Sequence, residues 1–206
     1  SRTVVSIEQG LENAGYTVAS KDWITRYDKK RADEKAAYMQ KLHEYSLETG
    51  IPEMIASFNL PFGETAPELI NEADVKASET DTAIYVISRN SGEGADRNNA
   101  EGDYLPFPEE MENLRFLSNH YKHVVLVLNI GGVMELTKIK EIEGIDAILL
   151  MSQLGNIGGD VLADVISGKV NPSGKLTDTW AKNYSDYPSS EGFSHNDGNI
   201  DDEYYT

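Results

Sequence analysis

The 206-residue chain carries 18 Lys and Arg against 35 Asp and Glu, a formal net charge of -17 at pH 7, and 39% of its residues are hydrophobic. Such an acidic chain repels polyanions, which excludes nucleic acid as a partner, whereas neutral ligands such as sugars do not feel the net charge. Cysteine is absent, so disulfides, thiolate metal sites and a cysteine nucleophile are excluded as well.

A chain of this length can bury one substantial core, and one domain is the expectation. No apolar run approaches the roughly 20 residues of a membrane span, so no membrane partner is expected. The protein should be soluble; its compartment is left open, with the cytoplasm slightly favoured over secretion.

In chain order, "SRTVVSIEQGLENAGY" spaces Val4, Ile7, Leu11 and Ala14 three or four apart, which predicts a helix ending at Gly15. A chain that opens this way is expected to follow an upstream segment. "YTVAS" then reads as a short strand. From Asp28 to Glu48 helix formers dominate, with Ala32, Ala36, Met39 and Leu42 as one narrow apolar stripe, the pattern of a surface helix. Residues 50–71 hold Pro52, Pro61, Gly63 and Pro67 and read as an irregular connection, a length uncommon unless it serves a site or an interface.

Beyond it the pattern turns regular. "TAIYVIS" (82–88), "HVVLVLN" (123–129) and "IDAILLM" (145–151) are near-continuous apolar runs, as in strands covered on both faces. A helix opening at Pro108 separates the first two, and "IGGDVLADVISG" follows the third. Strands alternating with helices imply an α/β fold, a doubly wound, mostly parallel sheet sandwiched by helices. Working loops then lie beyond the carboxyl ends of the strands, at 89–107, 130–135 and 152–157. The acidic end of the chain, 189–206, is expected to be a poorly ordered tail.

The first of these loops has the most polar chemistry: Arg89, Asn90, Ser91, Glu93, Asp96, Arg97, Glu101 and Asp103, relieved by Gly92, Gly94 and Gly102. Two readings stand side by side. One is a solvated acidic loop with a local Asp96–Arg97 or Arg89–Asp103 ion pair; the other is a positioned acid. "SGEGADR" lacks the third glycine of a phosphate cradle, and its glutamate would repel a pyrophosphate. His43, His120, His123 and His195 are too scattered for a metal site, so no metal is expected. Ser91 has no G-x-S-x-G elbow around it.

"AIYVISR", "SGEGADR" and "GDYLPFPEEMENL", followed by "HVVLVLNIGGVMEL" and "ILLMSQLGNIGGDVLADVISGKVNPSGKLTDTWAKNYSDYP", resemble in order the second, α/β sandwich domain of family 3 glycoside hydrolases of the β-glucosidase type. The likeness covers residues 82–188 well and the first 80 loosely. It implies a six-stranded α/β sandwich packed against a (β/α) barrel that carries the nucleophile, and no stretch of this chain resembles that barrel.

The resemblance also implies that Glu93 is the general acid/base, with Asp96 and Arg97 anchoring its loop and Ser91, Gly92 and Gly94 beside it. The substrate would be a β-glucoside or related oligosaccharide, no cofactor would be needed, and the domain alone would be inactive. A general acid at neutral pH needs its pKa raised by desolvation, which a free Arg97 would oppose. Arg97 is therefore expected to be taken up by Asp96 or Asp103, with Glu93 exposed in the isolated domain.

At single positions the plainer reading leads. Asn171 to Gly174 should form a turn, Asn129, Gly131 and Gly132 should close a strand edge, and Asp164 should serve as a cap or ion pair. Trp180 and Tyr184 either stack on a sugar or cover a core edge. Two rival functions remain on the same fold: a carbohydrate or small-ligand binding module without catalysis, and a domain whose loops bind another protein.

Overall fold

The computed structural model describes residues 3–90 and 97–190. Three parallel strands form an open sheet in the order β1 (Thr82–Arg89), β2 (His123–Ile130), β3 (Ala147–Leu150). The register runs from Thr82 opposite His123 to Arg89 opposite Ile130, and Val125 to Leu128 face Ala147 to Leu150. The alternation of strand side chains divides the apolar residues between two faces. Tyr85, Ile87, Val124, Leu126, Leu128 and Ile130 meet Met111, Leu114 and Leu117 of helix α5 (Pro108–His120) and Ile139 of the short helix α6 (Thr137–Lys140). Val127 on the other face meets Met151 and Leu162, with Ile84, Val86, Val125 and Leu149 around them. Because both faces are covered, the strands read as unbroken apolar runs.

The second face is roofed by α1 (Ile7–Asn13) and α7 (Gly158–Ile166). These helices touch through Gly10 and Gly159: a Cβ on Gly10 would stand 2.0 Å from the Gly159 carbonyl carbon. Ser6 Oγ accepts from Gln9 N at 3.1 Å to start α1, and Gly15 closes it at φ +91°. Tyr16 spends its N–H on the Leu11 carbonyl at 3.0 Å. That bond wraps the chain around the helix end, and the expected strand at 16–20 does not form.

Helix α2 spans Lys21–Thr49, beginning seven residues before the expected Asp28. Its extra turns are fastened to the segment after it: Trp23 Nε1 donates to the Glu68 carbonyl (3.1 Å), Tyr27 Oη to the Thr65 carbonyl (3.1 Å), and Arg26 pairs with Asp74 at 2.8 Å. The predicted stripe is not a core face. Ala32, Ala36 and Met39 are exposed, and Leu42 alone of the four is buried. The connection at 50–71 contains a helix, α3 (Glu53–Asn59), followed by α4 (Glu72–Ser78). Leu47, Met54 and Phe58 are 73%, 75% and 66% exposed, so the α2–α3 hairpin shows an apolar surface to solvent. Of the six strands implied by the resemblance, the described residues form three.

Candidate active site

The carboxyl ends of the strands place the three predicted loops together. A Cβ on Gly131 would meet the Gln153 side chain at 3.1 Å, and one on Gly132 would stand 3.6 Å from Arg97 Nη1. Gln153 follows Ser152, a non-glycine residue at φ +56°. Left-handed backbone at such a residue costs on the order of 1–3 kcal/mol and concentrates at functional loops. Asn129 Nδ2 donates to Ser88 Oγ at 3.3 Å across the ends of β1 and β2.

Glu93, Ser91, Gly92, Gly94 and Asp96 lie outside the described residues, but both flanks of their segment are fixed. On the upstream side Asn90 N donates to Glu64 Oε1 at 3.0 Å, so the irregular connection after α3 does serve this edge. On the downstream side Arg97 donates from Nε to Asp103 Oδ1 (2.7 Å), from Nη2 to the Asp103 carbonyl (2.7 Å) and from Nη1 to the Val133 carbonyl (2.6 Å). The expectation that Arg97 is taken up by an aspartate holds for Asp103. Asp103 Oδ2 also accepts from Asn98 N at 2.5 Å, closing the turn.

Arg89 does not pair with the Asp103 carboxylate. It is 4% exposed, forming a two-pronged ion pair with Glu110 at 2.9 and 2.6 Å while Nε donates to the Asp103 carbonyl at 2.9 Å. Glu110 also accepts from Phe107 N at 2.8 Å; its charge in the first turn of α5 meets the positive end of the helix dipole. Phe107 lies between the Arg89 guanidinium, 5.5 Å from its ring centre, and Gly102. At φ +79°, Gly102 has no room for a Cβ, which would overlap that ring. Sequence reasoning missed Glu64 and Glu110. The one signal for Glu110 was a carboxylate three residues past a helix-starting segment, a spacing suited to capping.

The remaining candidates take structural roles. Trp180 packs against the core of the α5 face, and Tyr184 meets the buried Tyr104 edge-on at 5.3 Å, so both cover a core edge. Burial raises the Tyr104 hydroxyl pKa, with Tyr187 adding to the effect. Asp164 pairs with Lys169 at 2.8 Å. Residues 171–174 are exposed irregular backbone rather than the expected turn. His43, His120 and His123 each face a single carboxylate, Glu53, Glu72 and Asp146. Among the described residues no three His, Asp or Glu are grouped to hold a metal ion, and no helix is long and apolar enough to cross a membrane.

Polar loops meet at the carboxyl edge of an open parallel sheet flanked by helices, the architecture of an α/β sandwich domain. The glycosyl hydrolase family 3 C-terminal domain matches residues 2–206, and the chain belongs to that family. β-Glucosidase A of Butyrivibrio fibrisolvens is 37% identical over 147 residues, covering 61% of this chain and 18% of that protein. A β-glucosidase from Paenibacillus barengoltzii superposes with a TM-score of 0.69 at 29% identity, over 93% of this chain and 20% of that one. β-Glucosidase 3B from Thermotoga neapolitana, solved with glycerol, gives 0.66 at 30% identity, over 91% of this chain and 24% of that one. The chain therefore spans about a fifth of the length of these relatives.

Proposed function

We propose that residues 1–206 are the acid/base-bearing α/β domain of a retaining β-glycosidase, and that Glu93 is its general acid and base. The nucleophile comes from a (β/α) barrel domain outside these residues, so the domain alone is inactive. The substrate is a β-glucoside or related oligosaccharide, in keeping with relatives that are β-glucosidases, one of them solved with glucose. Glu93 donates a proton to the glycosidic oxygen as the nucleophile's carboxylate attacks the anomeric carbon. It then takes a proton from the water that opens the glycosyl-enzyme.

The observation that carries this reading is the pair of anchors around the Glu93 segment. Asn90 is held by Glu64 and Arg97 by Asp103 and Val133, at the edge where the three loops meet. Pairing of Arg97 with Asp103 neutralises the nearest downstream cation, which would otherwise favour the ionised form of a neighbouring acid. Docking of the barrel then removes water from Glu93 and raises its pKa into the working range.

The test is a Glu93→Gln change in the full-length enzyme. Loss of general acid catalysis lowers kcat/KM about 10²–10⁴-fold on an alkyl β-glucoside and much less on a dinitrophenyl β-glucoside, whose leaving group needs no proton. Equal losses on both substrates, or none, contradict the assignment.

A further inference from the structure

We infer that the buried Arg89–Glu110 pair is a positioning device for the reaction, setting through the Asp103 carbonyl the place at which Arg97 anchors the Glu93 segment. The inference rests on the reading of Glu93 as the acid.

The guanidinium has five N–H donors, and every one is engaged. Nε donates to the Asp103 carbonyl at 2.9 Å, Nη1 to the Ser88 carbonyl and Glu110 Oε1 at 2.8 and 2.9 Å, and Nη2 to Glu110 Oε2 and the Leu105 carbonyl at 2.6 and 3.5 Å. This one side chain therefore joins the end of β1, the start of α5 and two carbonyls of the loop between them. The Asp103 carbonyl receives a second donor, Arg97 Nη2, at 2.7 Å. The two arginines thus share one acceptor, and a displaced Arg89 displaces the atom that holds Arg97.

Stability alone does not call for ions here. Ile87, Met111 and Leu114 surround the strand end with an apolar core, and well-packed hydrophobic residues in place of a buried ion pair are often as stable or more so. What a hydrophobic pair cannot supply is five directional bonds to fixed acceptors. The planar fork of arginine holds them in one geometry, which a lysine cannot reproduce.

Catalysis is sensitive to such geometry: a misplacement of about 1 Å costs on the order of 100-fold. The test uses Arg89→Lys and Glu110→Gln in the full-length enzyme. Active sites are counted by trapping the nucleophile with a 2-fluoro glucoside, so that unfolded molecules drop out. Per active site, kcat/KM on an alkyl β-glucoside should fall at least ~10-fold, part of what removal of the acid itself costs, while a dinitrophenyl β-glucoside changes far less. Should neither variant fold, Glu110→Asp, which keeps the charge but shortens the reach to Arg89, carries the same comparison. Uniform loss on both substrates, or no loss, overturns the positioning role. Glu93→Gln is the reference: a leaving-group-dependent loss there, with uniform loss in Arg89→Lys, rejects the positioning role alone. Uniform loss in Glu93→Gln rejects the acid assignment and this inference with it.

Discussion

Glu64 accepts the backbone N–H of Asn90 at 3.0 Å, so a residue from an irregular segment some 26 positions upstream fixes the point where the chain leaves β1. The half-buried carboxylate is placed there by the clamp on its neighbours, the Tyr27 bond to Thr65 and the Trp23 bond to Glu68. Glu64→Gln keeps an acceptor and should leave the Asn90 amide protected. Glu64→Leu removes about 1 kcal/mol of hydrogen bonding and should speed local exchange of that amide roughly 5-fold. Amide hydrogen exchange resolved at Asn90 reads the difference; equal protection in both variants contradicts the anchor.

The Arg89–Glu110 pair predicts a distinct stability pattern. Both side chains are nearly inaccessible, at 3% and 6%, so deleting one partner strands the other charge. Glu110→Leu alone should cost about 3–5 kcal/mol. Because both variants of a pair remove the same interaction, Arg89→Met combined with Glu110→Leu should recover a large part of that loss. Urea denaturation of the two variants checks this, and a double variant less stable than either single one contradicts it.

The α1–α7 contact is set by absent side chains. Gly10→Ala would drive a methyl group into the Gly159 carbonyl, and overpacking of this kind typically costs about 1–3 kcal/mol or more. Gly174→Ala meets nothing within 4 Å and should stay within about 0.5 kcal/mol of the parent. Paired thermal melts would show the contrast; a tolerated Gly10→Ala would mean the helices do not pack this closely.

His120 closes α5 with Nδ1 2.7 Å from the Phe116 carbonyl and Nε2 3.0 Å from the Glu72 carboxylate. Both partners are acceptors, so the two bonds form together only when the ring is protonated. The Phe116 carbonyl first, and Glu72 after it, raise its pKa above the ordinary 6.5. A folded pKa above the unfolded one gives stability that is complete below 6.5 and is lost as pH rises through the folded value. The parent should therefore lose more stability than His120→Gln between about pH 5.5 and about pH 8.5. Parallel pH profiles would contradict this.

The elements whose side chains face their own neighbours were legible in the sequence. β1 and β2 each run one residue beyond the expected ends, and α5 begins at the expected Pro108, because two-sided burial and proline's missing N–H both leave marks in the residue pattern. What could not be read depends on distant partners. The start of α2 is decided by contacts of Trp23 and Tyr27 with residues 65–68, and α3 forms inside a proline-rich stretch whose prolines lie outside it, with Pro52 immediately before its first turn. At the site, Arg97 with Asp103 was accessible as a short-range pair. Arg89 with Glu110 and Asn90 with Glu64 span 21 and 26 residues, and only the folded sheet edge brings them together.

The most direct measurement is the product formed when a Glu93→Ala variant of the full-length enzyme turns over an aryl β-glucoside in the presence of azide. With no carboxylate to activate water, azide should open the glycosyl-enzyme, restoring turnover and yielding β-glucosyl azide. A rate indifferent to azide, or an α-configured product, would contradict the account.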